Sequence, residues 1–419
     1  VKAPDHEYGF DPGKRVDHKI QRQVDPFIVF GIDAAGQALE DAGLADMDDD
    51  LKMRTGCSIG SGIGGLPGIE IESVNLHERG PSRVSPHFVH GRLINLITGQ
   101  VQIKYGFMGP NHAVVTACST GAHSIGDAAR MIAMDDADIM LAGGAESTIN
   151  PLGIAGFAQA RALNMSMNDR PTEASRPYDK GRDGFVMGEG AGVLVLESED
   201  HAKARGARIY AYVVGAGMTA DAHHIAQPDP EGKGAARAIR AALEQADASP
   251  QDVAHINAHA TSTPQGDVAE AVAIRAAMGS SQPLVTGTKS MTGHMLGAAG
   301  AVRGRAGAVD HVTHIGHDAV LPVDRCRHHE RHVLPLVHAG HLAQPLGADD
   351  VDRAMKAVAP RRRGQALHQG AQSCGVFSRH RSTGDLVAAA KAPRARAKQT
   401  IHVHPLVWAV RAVRALGLH

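Results

Sequence analysis

The stretch from Val114 to Gly121, VVTACSTG, constrains the fold more than any other part of this sequence. It predicts a short apolar strand that ends at Cys118, followed by a helix from Ser119 to about Met134 that is rich in small residues. A cysteine in the first turn of a helix lies near free backbone N–H groups and the positive end of the helix dipole, which favour its thiolate. The thiolate is the nucleophilic form of cysteine. The stretch therefore predicts either a nucleophile or, since lone cysteines are commonly buried, a small core residue.

Strands alternate with helices along the chain, and two further strands precede polar loops. Residues 253–257 predict a strand that leads to His259, and residues 284–286 predict a strand that leads to Lys289. This alternation indicates an α/β fold with a mostly parallel sheet covered on both faces. In such sheets the chemistry lies at the carboxyl ends of strands, where Cys118, His259 and Lys289 are all placed.

The two polar loops read NAHATSTPQGD (257–267) and KSMTGHMLGAAG (289–300). A lone histidine in either loop is more often structural than functional. No predicted helix carries a histidine pair at the i, i+4 spacing of a zinc site, and nearby carboxylates are few, so we expect no metal site. The glycine-rich turn at residues 60–65 lacks the GK[ST] and GxGxxG spacings of phosphate-binding loops, and it predicts close backbone packing instead.

A cysteine with two histidines and a lysine suits acyl transfer onto sulfur followed by carbon–carbon bond formation. The cysteine needs no strong base if the helix dipole already favours its thiolate. Two neutral imidazoles could donate N–H bonds to an enolate formed as a carboxylate is lost. Lys289 would hold the second histidine, His294, and keep the electrostatic potential of the site positive. From the residues alone, the chain is predicted to be a cysteine-nucleophile acyltransferase.

The number and spacing of the cysteines indicate the cellular compartment. The chain has 419 residues, enough for two packed halves, and four cysteines without a CxxC pair, which argues against a disulfide framework. We therefore expect a reducing cytoplasm. No apolar run has the length of a membrane span and the first residues show no signal-peptide pattern, so no membrane association is expected.

Three motifs, TACSTGAHSIGDAARMIA, INAHATSTPQGD and TKSMTGHMLGAAGAV, closely resemble those of beta-ketoacyl-acyl-carrier-protein synthase II, a condensing enzyme family of fatty acid synthesis. The segments RPYDKGRDGFVMGEGAGVLVLE and GCSIGSGIGGLPGIE also resemble it. The resemblance covers about residues 16–302. It implies a thiolase-like fold of two similar α/β halves with mixed five-stranded sheets, incomplete at both ends. It also implies a homodimer, acyl carrier protein as partner, and no cofactor.

The resemblance divides the chain into three parts. Residues 1–205 would form the first half, without its opening strand, and residues 206–302 would begin the second half. Residues 303–419 do not match the family.

The resemblance also assigns the reacting groups. Cys118 would accept the acyl chain, and His259 and His294 would promote decarboxylation of the malonyl group and stabilise the enolate. Lys289 matches the active-site lysine of the family.

Further residues are assigned to substrate binding. Thr261 and Thr263 match the threonines that meet the phosphopantetheine arm, and Phe185 is expected to contact substrate. The oxyanion hole would use the backbone N–H of Cys118 and one N–H from a C-terminal loop.

From residue 303 onward the sequence departs from the family, which has a glutamate where this chain has Arg303. Residues 1–302 carry a net charge of −11 and residues 303–419 one of +10. The second segment has 15 arginines and 13 histidines but two isoleucines, too few β-branched residues for core strands. Our hypothesis is that it is read out of frame. The alternative is a basic appendage around Arg361–Arg363 that binds nucleic acid, or, still less favoured, a metal site at Cys326, His328 and His329.

Two alternatives to the primary function follow. One is a polyketide-type ketosynthase of the same fold. The other is a catalytically impaired remnant, because the phenylalanine–glycine loop of the family cannot be found in residues 303–419, and loss of one oxyanion donor typically costs on the order of 100–1000-fold in rate. If the chain is a condensing enzyme of fatty acid synthesis, no nucleic-acid partner is expected.

Overall fold

The computed structural model describes residues 9–303 and the backbone of two later strands, Leu334–Pro345 and Trp408–Arg411. The helices of the described chain are α1 His18–Gln21, α2 Pro26–Ala42, α3 Asp49–Met53, α4 Leu66–Arg79, α5 Leu96–Tyr105, α6 Thr120–Ala133, α7 Pro151–Gln159, α8 Glu199–Ala204, α9 Lys233–Gln245, α10 Pro264–Met278 and α11 Lys289–Thr292. The strands are β1 Thr55–Gly60, β2 Asn111–His112, β3 Ile139–Glu146, β4 Gly188–Glu197, β5 Ala211–Ala216, β6 His255–Asn257, β7 Leu284–Thr286, β8 Leu334–Pro345 and β9 Trp408–Arg411.

Seven strands form one sheet in the order β2-β1-β3-β4-β8-β5-β9. Strand β1 is parallel to both β2 and β3, but every later pairing in this sheet is antiparallel. The prediction of a mostly parallel sheet is therefore wrong, although the mixed character implied by the resemblance is present. The cause is β4, which runs back along β3 from Ile139↔Glu197 to Glu146↔Gly190 and so reverses the sheet direction.

Both faces of this sheet are covered, as the alternation of strands and helices predicts. Helix α2 begins with Pro26 in its first turn and ends at Gly43, whose φ of +68° provides a left-handed cap. It packs its buried side chains against one sheet face, and α6 packs Ile125 and Ile132 against the other. The loop that precedes α6 is thereby fixed over the end of the sheet.

The second half is smaller in the described chain. Strands β6 and β7 form a separate parallel pair, and α9 and α10 pack together beside it. The expected pair of five-stranded sheets is not what the described strands form, because β8 pairs on both edges and joins β5 to β4 in the large sheet.

Most of the segment 303–419 lies outside the described residues. This holds for Cys326, His328, His329 and Arg361–Arg363, and also for a C-terminal oxyanion loop. Strands β8 and β9 are described and take part in the sheet. The out-of-frame hypothesis remains a prediction. Within the part of the chain that the structure describes, no helix combines the length and apolarity needed to cross a membrane.

Candidate active site

Cys118 lies in a single 3-10 turn, Ala117–Ser119, directly before α6. The helix begins within one residue of its predicted start, but the strand predicted before the cysteine is confined to Asn111–His112. Immediately before the cysteine the chain is bent, since Ala117 has a left-handed φ of +51°. Thr120 stabilises this bend, since its hydroxyl accepts the N–H of Thr116 at 2.9 Å and donates to the carbonyl of Ala117 at 2.8 Å.

The two predicted histidines converge on this cysteine. His294 Nε2 lies 2.9 Å from Cys118 Sγ, and the ring of His259 meets that of His294 edge to face with centroids 5.4 Å apart. His294 is 2% exposed, whereas Cys118 and His259 keep part of their surface open. The structure thus brings together three residues from three loops separated by up to 176 positions.

Lys289 is also at the site, but it does not hold the histidine that the sequence predicts. Its Nζ donates to the backbone carbonyl of His259 at 2.5 Å, so it fixes the first histidine rather than His294. Burial strongly lowers the pKa of Lys289, an effect that the positive charge of Arg303 reinforces. The predicted position of Lys289 after a strand is correct, since it follows β7.

The surroundings of Cys118 act on its thiolate in both directions. Burial raises the pKa of the Cys118 thiol, the charge of Lys289 lowers it, the nearby carboxylate of Glu146 raises it, and the charge of Arg303 lowers it. Burial thus opposes the partial positive charge that the first turn of the helix supplies. His294 Nε2 lies within hydrogen-bonding distance of the thiol and can exchange a proton with it.

Both imidazoles are held neutral. Burial, followed by the charge of Lys289, lowers the pKa of His259 and of His294 well below the usual value. A neutral imidazole can accept a proton on one nitrogen and donate from the other. The neutral histidines expected from the residue types are therefore what this environment favours.

The residues predicted to bind substrate lie around this centre. The hydroxyls of Thr261 and Thr263 are 2.9 Å apart in the loop that follows His259. Phe185 packs edge to face on His294, with centroids 5.2 Å apart, and belongs to an apolar cluster that also contacts Cys118. All seven predicted site residues thus fall in one region.

Sequence analysis missed two carboxylates that fix the loops. Glu146 accepts the N–H groups of Gly62, Ile63 and Gly297 at 2.7, 3.3 and 3.0 Å, and the hydroxyl of Ser61 at 2.9 Å. A Cβ on Gly297 would lie 2.3 Å from the nitrogen of Gly62, which explains the glycine-rich turn as close packing. The signal available in the sequence was a glutamate at the end of an apolar strand.

The second missed carboxylate is Glu270 on α10. It accepts the N–H of His259 at 2.5 Å, the N–H of Ala260 at 2.8 Å and the hydroxyl of Tyr178 at 2.8 Å. It lies 11 residues after His259 on the helix that the loop enters, so only the fold brings the two together.

Strained backbone marks the same loops. Left-handed φ values occur at four non-glycine residues beside the candidate groups: Ala117 (+51°), Ala260 (+45°), Ser262 (+68°) and Leu296 (+38°). Such conformations persist where surrounding contacts determine them, and they cluster at functional sites.

The donor atoms of Cys118, His259 and His294 lie within 4.8 Å of one another, a spacing that a soft metal ion could bridge. The positive charges of Lys289 and Arg303 act on all three groups and oppose a cation there. We therefore identify none of the three as a metal ligand.

Two family models match this chain. The N-terminal domain of beta-ketoacyl synthases matches residues 4–202, and the C-terminal domain of the same enzymes matches residues 210–323. The chain belongs to the beta-ketoacyl synthase family. The second match extends beyond Val302, where the resemblance was expected to stop.

Relatives of this synthase support the same conclusion. It is 53% identical to 3-oxoacyl-[acyl-carrier-protein] synthase 2 of Rhizobium meliloti over 295 residues, which is 70% of each chain. It is also 53% identical to the protein of that name from Vibrio cholerae over 297 residues, 70% of this chain and 71% of the other. The chain is therefore a beta-ketoacyl synthase of the acyltransferase class.

Solved structures share the fold of this synthase. A beta-ketoacyl synthase from Burkholderia phymatum superposes with a TM-score of 0.65 at 35% identity, covering 71% of each chain. A type II polyketide ketosynthase in complex with its acyl-carrier protein gives the same TM-score at 33% identity, covering 68% of this chain and 71% of the other. These likenesses confirm the thiolase-like α/β fold expected from the motifs.

Proposed function

We propose that this synthase acts in fatty acid synthesis and condenses a Cys118-bound acyl chain with a malonyl group on acyl carrier protein. The observation that carries the proposal is the 2.9 Å contact between Cys118 Sγ and His294 Nε2, with His259 packed on the same imidazole. One nucleophile and two neutral imidazoles are what the two halves of such a condensation require.

In the first half-reaction, the sulfur of Cys118 attacks the acyl thioester carbonyl. A new C–S bond forms to Cys118 and the C–S bond to the carrier breaks. His294 Nε2 takes the thiol proton, which then passes to the departing carrier thiolate. Burial raises the pKa of Cys118, so transfer of this proton to His294 assists the attack.

In the second half-reaction, the malonyl carboxylate leaves as carbon dioxide, and the electron pair of the broken C–C bond forms an enolate. Neutral His259 and His294 donate N–H bonds to the enolate oxygen, for which His294 is in the tautomer that carries its proton on Nε2. The enolate carbon attacks the Cys118 thioester and a C–C bond forms. The C–S bond then breaks, and the sulfur leaves as a thiolate that takes up one proton from solvent to restore the Cys118 thiol. Since decarboxylation itself supplies the electron pair, we propose that no cofactor is needed.

The neighbouring side chains suit the rest of the substrate. Thr261 and Thr263 place two hydroxyls beside His259, where a phosphopantetheine arm would have to pass. Phe185 lies in the apolar cluster that contacts Cys118, together with Phe157 and Leu163, which suits an acyl chain. Acyl carrier protein as partner is supported by the names of the relatives, which are acyl-carrier-protein synthases, and by the ketosynthase solved with its carrier protein.

We also propose a homodimer. Strand β2 is an edge of the large sheet among the described strands, and apolar side chains nearby are exposed, Ile103 by 79% and Val115 by 53%. A sheet edge flanked by apolar surface favours pairing with a second copy. Ile103→Glu should shift the protein toward monomer in sedimentation velocity, whereas Met134→Glu, at another site 72% exposed, should not. An unchanged dimer in the Ile103 variant would refute this interface.

We also propose a cytoplasmic location, because the proposed nucleophile is a free thiol. Cys57 and Cys118 are both free cysteines, and a nucleophilic thiol must stay reduced. Neither a membrane nor a nucleic acid is required by the proposed reaction.

The function is tested by intact mass. The protein is incubated with a long-chain acyl carrier protein and then with malonyl carrier protein, beside Cys118→Ala and, as a matched control, Cys57→Ala at the fully buried cysteine. We expect an acyl adduct and ketoacyl product in the wild type and in the Cys57 variant, and neither in the Cys118 variant. An adduct without product would support the impaired remnant, and no adduct would refute the proposal.

The second candidate is a polyketide-type ketosynthase, favoured by the similarity to a type II polyketide ketosynthase and to the ishigamide ketosynthase/chain length factor. The two candidate functions differ in the acyl group that Cys118 accepts. Transfer of a polyketide chain in preference to a saturated acyl chain, in the same mass assay, would establish the second.

A further inference from the structure

The segment RPYDKGRDG, residues 176–184, is part of a motif that resembles the family, but the proposed reaction gives it no role. Its backbone forms neither helix nor strand, and it bonds to the loop that carries Thr261 and Thr263. We call this segment the strap. A segment without regular structure must place its polar backbone groups on other partners, and those partners indicate what the strap holds.

The strap holds Ser262, the residue between the two threonines. The N–H of Arg176 donates to Ser262 Oγ at 3.0 Å, and the N–H of Gly184 donates to the carbonyl of Ser262 at 3.0 Å. The N–H of Ser262 donates to the carboxylate of Asp267, which also accepts the N–H of Tyr178 from the strap. Ser262 is fully buried and has a left-handed φ of +68°. A residue with a side chain keeps that conformation where surrounding contacts determine it, and here the strap supplies them.

Arg182 extends these contacts to the next two peptides. Its Nε donates to the carbonyl of Thr263 at 3.0 Å, and its Nη2 donates to the carbonyl of Pro264 at 2.5 Å. Its Nε also lies 3.5 Å from the carboxylate of Asp267, which is 1% exposed. A planar guanidinium can bond two neighbouring carbonyls in a fixed geometry, which a lysine ammonium group cannot match. Arg182 thus fixes the backbone at Thr263.

This backbone sets the distance between two hydroxyls. Thr261 Oγ1 and Thr263 Oγ1 lie 2.9 Å apart, so one hydroxyl donates to the other. The pair keeps one free O–H donor and free acceptor lone pairs, which together match an amide group such as those of a pantetheine arm. Gly266 leaves room for the pair, since a Cβ there would lie 2.4 Å from Thr263 Oγ1. A shift of the backbone at Thr263 would separate the hydroxyls and remove the match.

We propose that Arg182 is a positioning residue that sets the affinity for the pantetheine arm of the substrate, by holding the backbone that carries the hydroxyls of Thr261 and Thr263. The role rests on the proposed function, which supplies a substrate with this arm. Among the described residues, the partners of Arg182 are three backbone carbonyls and the carboxylate of Asp267. Its removal should therefore weaken binding of the arm and leave the reactivity of Cys118 unchanged.

The test uses two thioesters of the same acyl group, one of pantetheine and one of ethanethiol, which lacks the arm. Acylation of Cys118 is followed by intact mass against the concentration of each thioester in the wild type and in Arg182→Met. Arg170→Met is the matched control, since Arg170 is an exposed arginine that pairs with Asp169 and Glu173. The rate of Cys118 alkylation by iodoacetamide measures the thiol without any acyl substrate.

In Arg182→Met we expect the half-saturating concentration of the pantetheine thioester to rise roughly tenfold, about the effect of one lost hydrogen bond. The maximal rate of acylation should be unchanged, as for a loss of binding alone. Acylation by the ethyl thioester and alkylation by iodoacetamide should also be unchanged, because neither reagent carries the arm. Arg170→Met should match the wild type with all three reagents.

A variant without either hydroxyl, Thr261→Val with Thr263→Val, identifies the route of the effect. If Arg182 acts through these hydroxyls, adding Arg182→Met to that variant should raise the half-saturating concentration no further. Additive effects of the substitutions would overturn the proposal, since Arg182 would then act on the site by another route.

Equal losses with the two thioesters in Arg182→Met would also overturn the proposal, because they would indicate a general structural role. A wild type without preference for the pantetheine thioester would overturn it as well. If Arg182→Met fails to fold, Arg182→Lys keeps a charge beside Asp267 without the paired carbonyl bonds. A loss confined to the pantetheine thioester is then expected, and no loss would overturn the proposal. If the wild type prefers the pantetheine thioester but forms no ketoacyl product with malonyl carrier protein, the proposed function fails and the role of Arg182 in binding the arm stands.

Discussion

The two halves of the site are built around one carboxylate each, but the carboxylates have different surroundings. Glu146, beside the nucleophile, is fully buried, and its hydrogen-bond partners are three backbone N–H groups and one hydroxyl. Glu270, beside the histidines, shares a cavity with Arg303 and bonds the peptide that Lys289 also bonds. The carboxylate beside the cysteine thus has only neutral hydrogen-bond partners, whereas the carboxylate beside the histidines also has basic side chains nearby.

The different surroundings of the two carboxylates bear on the two half-reactions that we propose for this site. Burial raises the pKa of Cys118, Lys289 lowers it, Glu146 raises it and Arg303 lowers it. The same two cations keep the imidazoles neutral and able to donate to an enolate. In the proposed mechanism, the histidine half of the site also takes the proton of the nucleophile, through the contact between His294 Nε2 and Cys118 Sγ.

The largest effect should come from removing the group that joins the two halves. In His294→Ala we expect ketoacyl formation to fall on the order of 1000-fold, because both the base for Cys118 and one enolate donor are lost. His77→Ala, at an exposed histidine on α4, is the control. Steady-state turnover with malonyl carrier protein measures the effect, and a loss below tenfold would show that the 2.9 Å contact does not carry the chemistry.

The sequence predicts the convergence of Cys118, His259, Lys289 and His294 because each follows a strand or opens a helix in a recognisable motif. The sequence does not predict that Lys289 donates to the carbonyl of His259, because this contact depends on the path of the strained loop that contains Ala260. It also misses Glu146, whose N–H partners lie 84 residues before it and 151 residues after it. The burial that opposes the Cys118 thiolate is likewise absent from the sequence pattern, since it is a property of the folded loops.

The next largest effect is expected at the anionic side. Glu146→Gln should lower the free energy of unfolding by about 2–4 kcal/mol, since the amide NH₂ would face the N–H groups of Gly62 and Gly297. Because the charge of Glu146 contributes to the raised pKa of Cys118, its removal should move the midpoint of the pH dependence of Cys118 alkylation by iodoacetamide to lower pH.

Denaturant unfolding and pH-dependent alkylation check the two parts of this prediction. Glu189→Gln is the matched control, since the carboxylate of Glu189 accepts the N–H of Ile149, a bond that an amide oxygen can keep. An alkylation midpoint that moves to higher pH in Glu146→Gln would contradict the effect of the Glu146 charge on the pKa of Cys118.

A smaller effect is expected at the cationic side. Glu270→Gln keeps one acceptor for the His259 peptide but leaves Arg303 and Lys289 without their nearby anion. Turnover should fall roughly 10–100-fold, within the range for misplacement of a single donor. Acylation of Cys118, followed by intact mass, should fall less than ketoacyl formation, since His259 acts in the second half-reaction. Equal losses in both steps would place Glu270 outside the histidine function.

The smallest effect is expected at the outer edge of the histidine side, where the hydroxyl of Tyr178 donates to Glu270 Oε2 at 2.8 Å. Tyr178→Phe should lower the free energy of unfolding by about 0.5–1.5 kcal/mol and turnover by less than tenfold, because Glu270 keeps its two backbone donors. A double-mutant cycle with Glu270→Gln, measured by denaturant unfolding, isolates the pair. Additive losses would show that Tyr178 stabilises the loop on its own. A coupling of about 1 kcal/mol would instead show that the hydroxyl, the carboxylate and the His259 peptide act as one network.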